Sequence, residues 1–164
     1  LFEGDIVSLD VGAIFKGFQG DAAITVGVEE IGPEARRLLE VARGALWSGI
    51  EAAKHGAYLG DVSAAIQLYV ESRGFSVVRE YTGHGIGREM HEEPQIPNFG
   101  VPGQGPLLHK GMTLAIEPMV NAGGWSTKLS DDGWTVTTAD GSLSAHFEHT
   151  IAITDTEPDI LTML

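Results

Sequence analysis

Hydrophobic and polar positions alternate from the start of the chain. In "DIVSLDVGAIF" Val7, Leu9, Val11 and Ala13 fall on one side, and Ile6, Ser8, Asp10 and Gly12 on the other. A period of two is that of a strand with one buried face. "KGFQG" supplies turn chemistry, and "DAAITVGV" resumes the alternation with Ala22, Ile24 and Val26 on the apolar side, so residues 1–28 are predicted to form a β-hairpin. The period then lengthens. Pro33 suits the first turn of a helix and Gly56 its end, and between them Ala35, Leu38, Leu39, Ala42, Leu46, Trp47, Ile50 and Ala53 make a helical stripe. Asp61 is placed to N-cap a second helix, with Val62, Ala65, Ile66 and Tyr69 on one face and Gly74 closing it. The two helices are expected within residues 33–73.

From residue 75 to 164 the period returns to two. "FSVVREYTG", "GMTLAIEPMV", "GWTVTTAD" and "SLSAHFEHTIAIT" are strand candidates, whereas "EPQIPNFGVPGQGP", with four prolines and three glycines, is predicted to be loop. Strands, two helices, then strands imply an α+β domain over residues 1–164, with both helices on one face of a mostly antiparallel sheet.

Composition narrows the chemistry. Twenty-two glycines in 164 residues, about 13% against a usual ~7%, imply many tight turns or close backbone approaches. A net charge of −13 argues against a nucleic-acid backbone as partner and suits cation binding or simple solubility. The absence of cysteine excludes disulfides and thiolate metal sites and fits a cytoplasmic setting. No apolar run approaches the ~20 residues of a membrane span. The first residue is Leu and a strand pattern begins almost at once, so the chain reads as a fragment or a processed product.

Strand parity singles out a set of acids. Asp10, Asp21, Glu117 and Glu148 all fall on the side of their strands that is not filled with aliphatics. A solvated sheet face would give the same parity. Yet "LAIEPM" and "AHFEHTIAI" put lone acids inside apolar strands, where an unpaired charge is costly and a bound cation would cancel that cost. His84, in "TGHGIG", has glycine on both sides, which bares the backbone and argues against a helix shared with His91. If the four carboxylates and His84 converge, two divalent ions balance the charge. Oxygen-rich ligation with one imidazole favours Mn, Fe or Co, with Zn also admitted, and such a pair equips a site for hydrolysis.

The order Asp10, Asp21, His84, Glu117, Glu148, within "SLDVG", "GHGIGREMHEEP", "GMTLAIEPM" and "SAHFEHTI", closely resembles the type I methionine aminopeptidases over essentially the whole chain. "GHGIG…HEEP" alone also suits prolidase-like and proline aminopeptidase relatives. "EPMV" followed by "DGWTVTTADGSLSAHFEHT" is more typical of the methionine enzymes.

The resemblance implies the pita-bread fold and a metal-dependent removal of N-terminal methionine from nascent peptides with a small second residue. The ribosome is then a candidate partner. It implies that Asp10, Asp21, His84, Glu117 and Glu148 hold two metal ions, Asp21 and Glu148 bridging them. Glu117 would double as the acid/base, and His91 would hydrogen-bond the substrate. Trp134 and Met90 would line the pocket for the methionine side chain. Thr82 and His146 depart from the family, where many members have cysteine and glutamine. By parity His146 shares the side of Glu148, and His149 takes the other. Family members also carry an N-terminal portion before the first aspartate strand. The alternatives are an Xaa-Pro aminopeptidase or dipeptidase on the same fold, an inert pita-bread module, and a Ca- or Mg-stabilised structural domain.

Overall fold

The computed structural model describes residues 1–163. Strands β1 (Ile6–Phe15) and β2 (Phe18–Gly27) form the hairpin, followed by α1 (Pro33–Ala52) and α2 (Leu59–Glu71). The rest is strand: β3 (Ser76–Val77), β4 (Thr82–Gly85), β5 (Glu92–Pro97), β6 (Thr113–Ile116), β7 (Met119–Asn121), β8 (Thr127–Leu129), β9 (Val136–Thr138), β10 (Ser144–His146), β11 (Glu148–Ala152) and β12 (Asp159–Ile160).

The main sheet runs β1-β2-β11-β6-β4-β5, with β12 also on β11, and every pairing in it is antiparallel. A smaller sheet, β10-β7-β3, continues from it. The break between them lies at Glu117–Pro118 on one strand and Phe147 on its neighbour. Pro118 has no N–H to give the ladder, so pairing pauses there and the two sheets splay. Leu114, Ile116 and Ile151 from the main sheet, and Val120 and Ala145 from the smaller one, pack against Leu38, Leu46, Ile50, Val62 and Ile66 of the helices. This is the α+β layering expected from the order of the elements.

Several local expectations need correction. The second helix starts at Leu59 with Tyr58 as its N-cap; Asp61 is its third residue, and its carboxylate accepts the Tyr58 N–H at 2.8 Å. An acid at that position reaches back to the cap residue, which is why it reads so easily as the cap itself. Helix α1 stops at Ala52 and α2 at Glu71, before Gly56 and Gly74, whose positive φ values (85° and 82°) serve the turns that follow. The proline-rich stretch predicted as loop opens with a strand. β5 is the last strand of the sheet, and an edge position tolerates Pro94 and Pro97 because nothing beyond it asks for their missing N–H groups. β8, β9's partner, and β12 carry too little periodicity to be seen in advance.

The largest correction concerns the hairpin. Its apolar side is the open one: Leu9 is 48%, Val11 64% and Ile24 47% exposed, while Ala23 and Thr25 on the other side are buried. Helix α1 lies over β6, β7, β10 and β11 and reaches only the near part of β2. Among the described residues nothing covers the aliphatic side of β1.

Candidate metal centre

Two cross-strand rows build the site. One runs Asp10–Ala23–Glu148 across β1, β2 and β11. The other runs Thr150–Ala115–His84 across β11, β6 and β4. Glu148 and Thr150 are two residues apart, so both rows lie on one face of the sheet. Asp21 is two residues from Ala23, and Glu117 two from Ala115. Asp10, Asp21, His84, Glu117 and Glu148 therefore share the face opposite the helices.

Close backbone approach brings His84 to that face. A Cβ on Gly83 would collide with the carbonyl of Ala115, and one on Gly85 with the carbonyl of Glu93. Glycine at both positions lets β4 sit between β6 and β5 with only the imidazole filling the space. His84 Nδ1 lies 2.9 Å from the carbonyl of Gly85, which can only accept, so Nδ1 donates. Nε2 is then the basic nitrogen. It faces Glu117 Oε1 at 3.5 Å and Asp21 Oδ2 at 3.9 Å.

Ligand atoms of Asp21, His84 and Glu148 all lie within 4.8 Å of one another. Glu117 joins them through His84, and Asp10 stands at the exposed outer end of its row. The electrostatics are unfavourable without a cation. Burial, then the charges of Glu117, Asp21 and Asp10, push the Glu148 carboxyl up to about 9. Asp21 is raised by burial, Asp10 and Glu117, and His84 offsets only part of this. Among the described residues Glu148 Oε1 is buried without a hydrogen-bond partner. A buried acceptor with no donor, four carboxylates and one properly tautomeric imidazole make a donor set that fits hard or borderline divalent cations.

Two threonines hold the strands that carry these groups. Asp21 N–H donates to Thr150 Oγ1 at 2.9 Å, and that hydroxyl donates to the Asp21 carbonyl at 2.8 Å. In the same manner His146 N–H donates to Thr25 Oγ1 at 2.9 Å, and Thr25 donates to the His146 carbonyl at 2.7 Å. Both hydroxyls are buried, and strand parity alone gives no hint of either clamp.

A cavity of about 820 Å³ opens beside the acids, lined by Asp10, Tyr81, His91, Glu117, Leu143 and His146. The His91 ring stands edge-on to His84 with centroids 4.4 Å apart. Met90 packs its methyl over Gly12 of β1, close to Asp21. His149 faces the other way, with Nδ1 2.8 Å from Thr162 Oγ1 and its ring edge-on to Trp47; burial depresses its pKa.

Trp134 stands apart from the cavity in this structure. It is 86% exposed at the turn of the β8–β9 hairpin and is not among the residues lining the cavity. Among the described residues that hairpin pairs with no other strand, and Asp132 fixes its turn by accepting the N–H groups of Trp134 and Thr135.

Several known proteins are similar to this chain over nearly its whole length. Methionine aminopeptidase from Clostridium acetobutylicum is 55% identical over 163 residues, covering 99% of this chain and 65% of the relative. Methionine aminopeptidase 1 from Bacillus subtilis is 55% identical, with 99% and 65% covered. The chain thus spans 65% of the length of these curated relatives. The crystal structure of methionine aminopeptidase from Thermotoga maritima superposes with a TM-score of 0.97 at 56% identity, covering 99% of this chain and 65% of that one. A dipeptidase from Pyrococcus horikoshii shares the pita-bread fold with a TM-score of 0.78 at 28% identity, covering 98% and 40%. With residues 1–155 matched to the metallopeptidase family M24, the chain belongs to that family.

Proposed function

We propose that this chain carries the catalytic centre of a methionine aminopeptidase that removes N-terminal methionine from nascent peptides with a small second residue. The observation that supports this most is the gathering of four carboxylates and His84 on one sheet face, beside a cavity of about 820 Å³. Asp10, Asp21, His84, Glu117 and Glu148 would hold two divalent ions, with Co, Mn or Fe suited to the ligand set and Zn also accommodated. When bound, such a pair polarises a peptide carbonyl and makes water acidic enough to attack it. Glu117, at the cavity wall, would take the proton released by the attacking water and pass it to the leaving amine. His91 would donate to the carbonyl oxygen as it gains negative charge. Met90, over Gly12, would border the apolar end of the substrate, since methionine's flexible thioether suits a shaped apolar wall. Trp134, exposed on the β8–β9 hairpin, would line the methionine pocket by family resemblance alone.

The setting would be the cytoplasm, with nascent chains at the ribosome as the source of substrate. Among the described residues no helix is long and apolar enough to cross a membrane. The test is cleavage of Met-Ala-Ser against an Xaa-Pro dipeptide by the Mn²⁺- or Co²⁺-loaded chain. Release of methionine from the first alone is expected; preference for the second would transfer the chain to the dipeptidase branch of the fold. His91→Ala should lower kcat/KM by roughly 10²-fold or more with metal stoichiometry intact, the scale of a lost oxyanion donor.

A further inference from the structure

Glu117 is bracketed by two imidazoles. Its Oε1 faces His84 Nε2 at 3.5 Å and its Oε2 faces His146 Nε2 at 3.4 Å. The two histidines come from opposite directions. His84 arrives on β4, and His146 from the end of β10, across the break where Pro118 interrupts the neighbouring strand.

We propose that His146 is a positioning residue for Glu117, donating its Nε2–H to Oε2 and so directing Oε1 toward the cation and His84. The proposal rests on the metal-centre reading above and extends it to a residue outside the ligand set.

Three observations carry it. First, His146 Nε2 is buried and, among the described residues, makes no hydrogen bond. The contact with Glu117 is 3.4 Å, within reach but long for a hydrogen bond. Hydrogen bonds of this kind are often long or tilted in unliganded sites and tighten when the site is filled. Second, the backbone of His146 is locked through both its N–H and its C=O by Thr25, whose hydroxyl also meets Ser8 Oγ at 2.8 Å. Thr25 lies on β2 with Asp21, so the imidazole is tied to the strand that carries another acid of the site. Third, the neighbouring His149 shows what a merely structural histidine looks like here: Nδ1 bonded to Thr162 Oγ1, ring against Trp47, on the helix side of the sheet. His146 has none of these supports and points into the cavity beside Glu117.

An oriented supporting donor typically changes metal affinity 10–100-fold. Co²⁺ titration of the unaltered chain, followed by visible absorption, is therefore compared with His146→Ala and His146→Gln. His146→Ala should bind about 10-fold more weakly with the same stoichiometry, and His146→Gln, whose carboxamide can also donate, should recover most of the loss. Equal affinity in the alanine variant overturns the proposal. Loss of one ion in both variants, with a changed Co²⁺ spectrum, also overturns it, because His146 would then be a ligand.

A second readout needs no substitution. Long-range ¹H–¹⁵N NMR of the metal-free chain should find the His146 proton on Nε2, and a proton on Nδ1 alone would contradict donation to Glu117. Failure of the unaltered chain to bind Co²⁺ would refute the metal-centre reading, while the NMR result still decides whether His146 donates to Glu117.

Discussion

The two sides of the β1–β2 hairpin share a backbone and differ in everything else. On one side Asp10, Asp21, Ala23 and Thr25 are knitted to β10 and β11 by cross-strand register and threonine hydroxyls. On the other, Leu9, Val11, Ile24 and Val26 are more than a third exposed. Ordinary hydrophobic logic would bury the second side and wet the first. On β2 the sheet does the reverse, with Ala23 and Thr25 buried where Thr25 and Asp21 meet β10 and β11, whereas Asp10 on the outer strand stays exposed. A cluster of carboxylates held that way costs folding free energy unless a cation repays it. The aliphatic side costs solubility instead, and a surface of that kind is ordinarily a contact face.

Breaking the acidic face should have the largest effect. His84→Ala removes the only imidazole among the five grouped residues. Divalent-metal affinity should fall by more than about 100-fold, beyond the range of supporting residues, as read by Mn²⁺ calorimetry. Unchanged affinity would take His84 out of the ligand set.

Thr150→Val probes the scaffold rather than the ligands. It strips the Asp21 N–H and C=O of their buried partner at nearly constant shape, and should cost about 1–3 kcal/mol in urea unfolding. A loss of metal affinity without loss of stability would mean the clamp acts on the ligand more than on the fold. The smallest effect is expected at Trp134→Ala, within about 0.5 kcal/mol in stability and with no change in metal binding. A large loss of metal affinity there would tie the exposed hairpin to the acidic face.

Much of the acidic face was legible in the chain. Alternation around "LAIEP" and "FEHTI" put Glu117 and Glu148 opposite the aliphatics, and the glycines around His84 announced a close backbone approach, which the contacts of Gly83 and Gly85 with Ala115 and Glu93 explain. Parity also separated His146 from His149. What parity cannot carry is which face another element will cover, and so the apolar side of the hairpin was assigned to the core. Nor can it show contacts between distant strands, such as Thr25 with His146 or Thr150 with Asp21. Trp134 rests on motif likeness alone, because strand parity says nothing of a residue in a hairpin turn. The prolines of β5 hid a strand because edge pairing makes no demand on their missing N–H groups.

The most direct test of the central claim, that the acidic face is built for divalent cations, is Mn²⁺ titration calorimetry at pH 8 in buffers of different ionisation enthalpy. Glu148, raised to about 9 by burial and by Glu117, Asp21 and Asp10, carries a proton at that pH in the metal-free chain. Its unfolded value is near 4.5, so this protonation supports the metal-free fold fully below about pH 4.5 and is lost as pH rises toward about 9. Cation binding should therefore expel about one proton per chain, and the bound chain should keep its thermal midpoint where the metal-free chain loses it between pH 5 and 9. Two ions bound with release of a proton is the predicted result. Binding with no buffer dependence, or no binding at all, would contradict it.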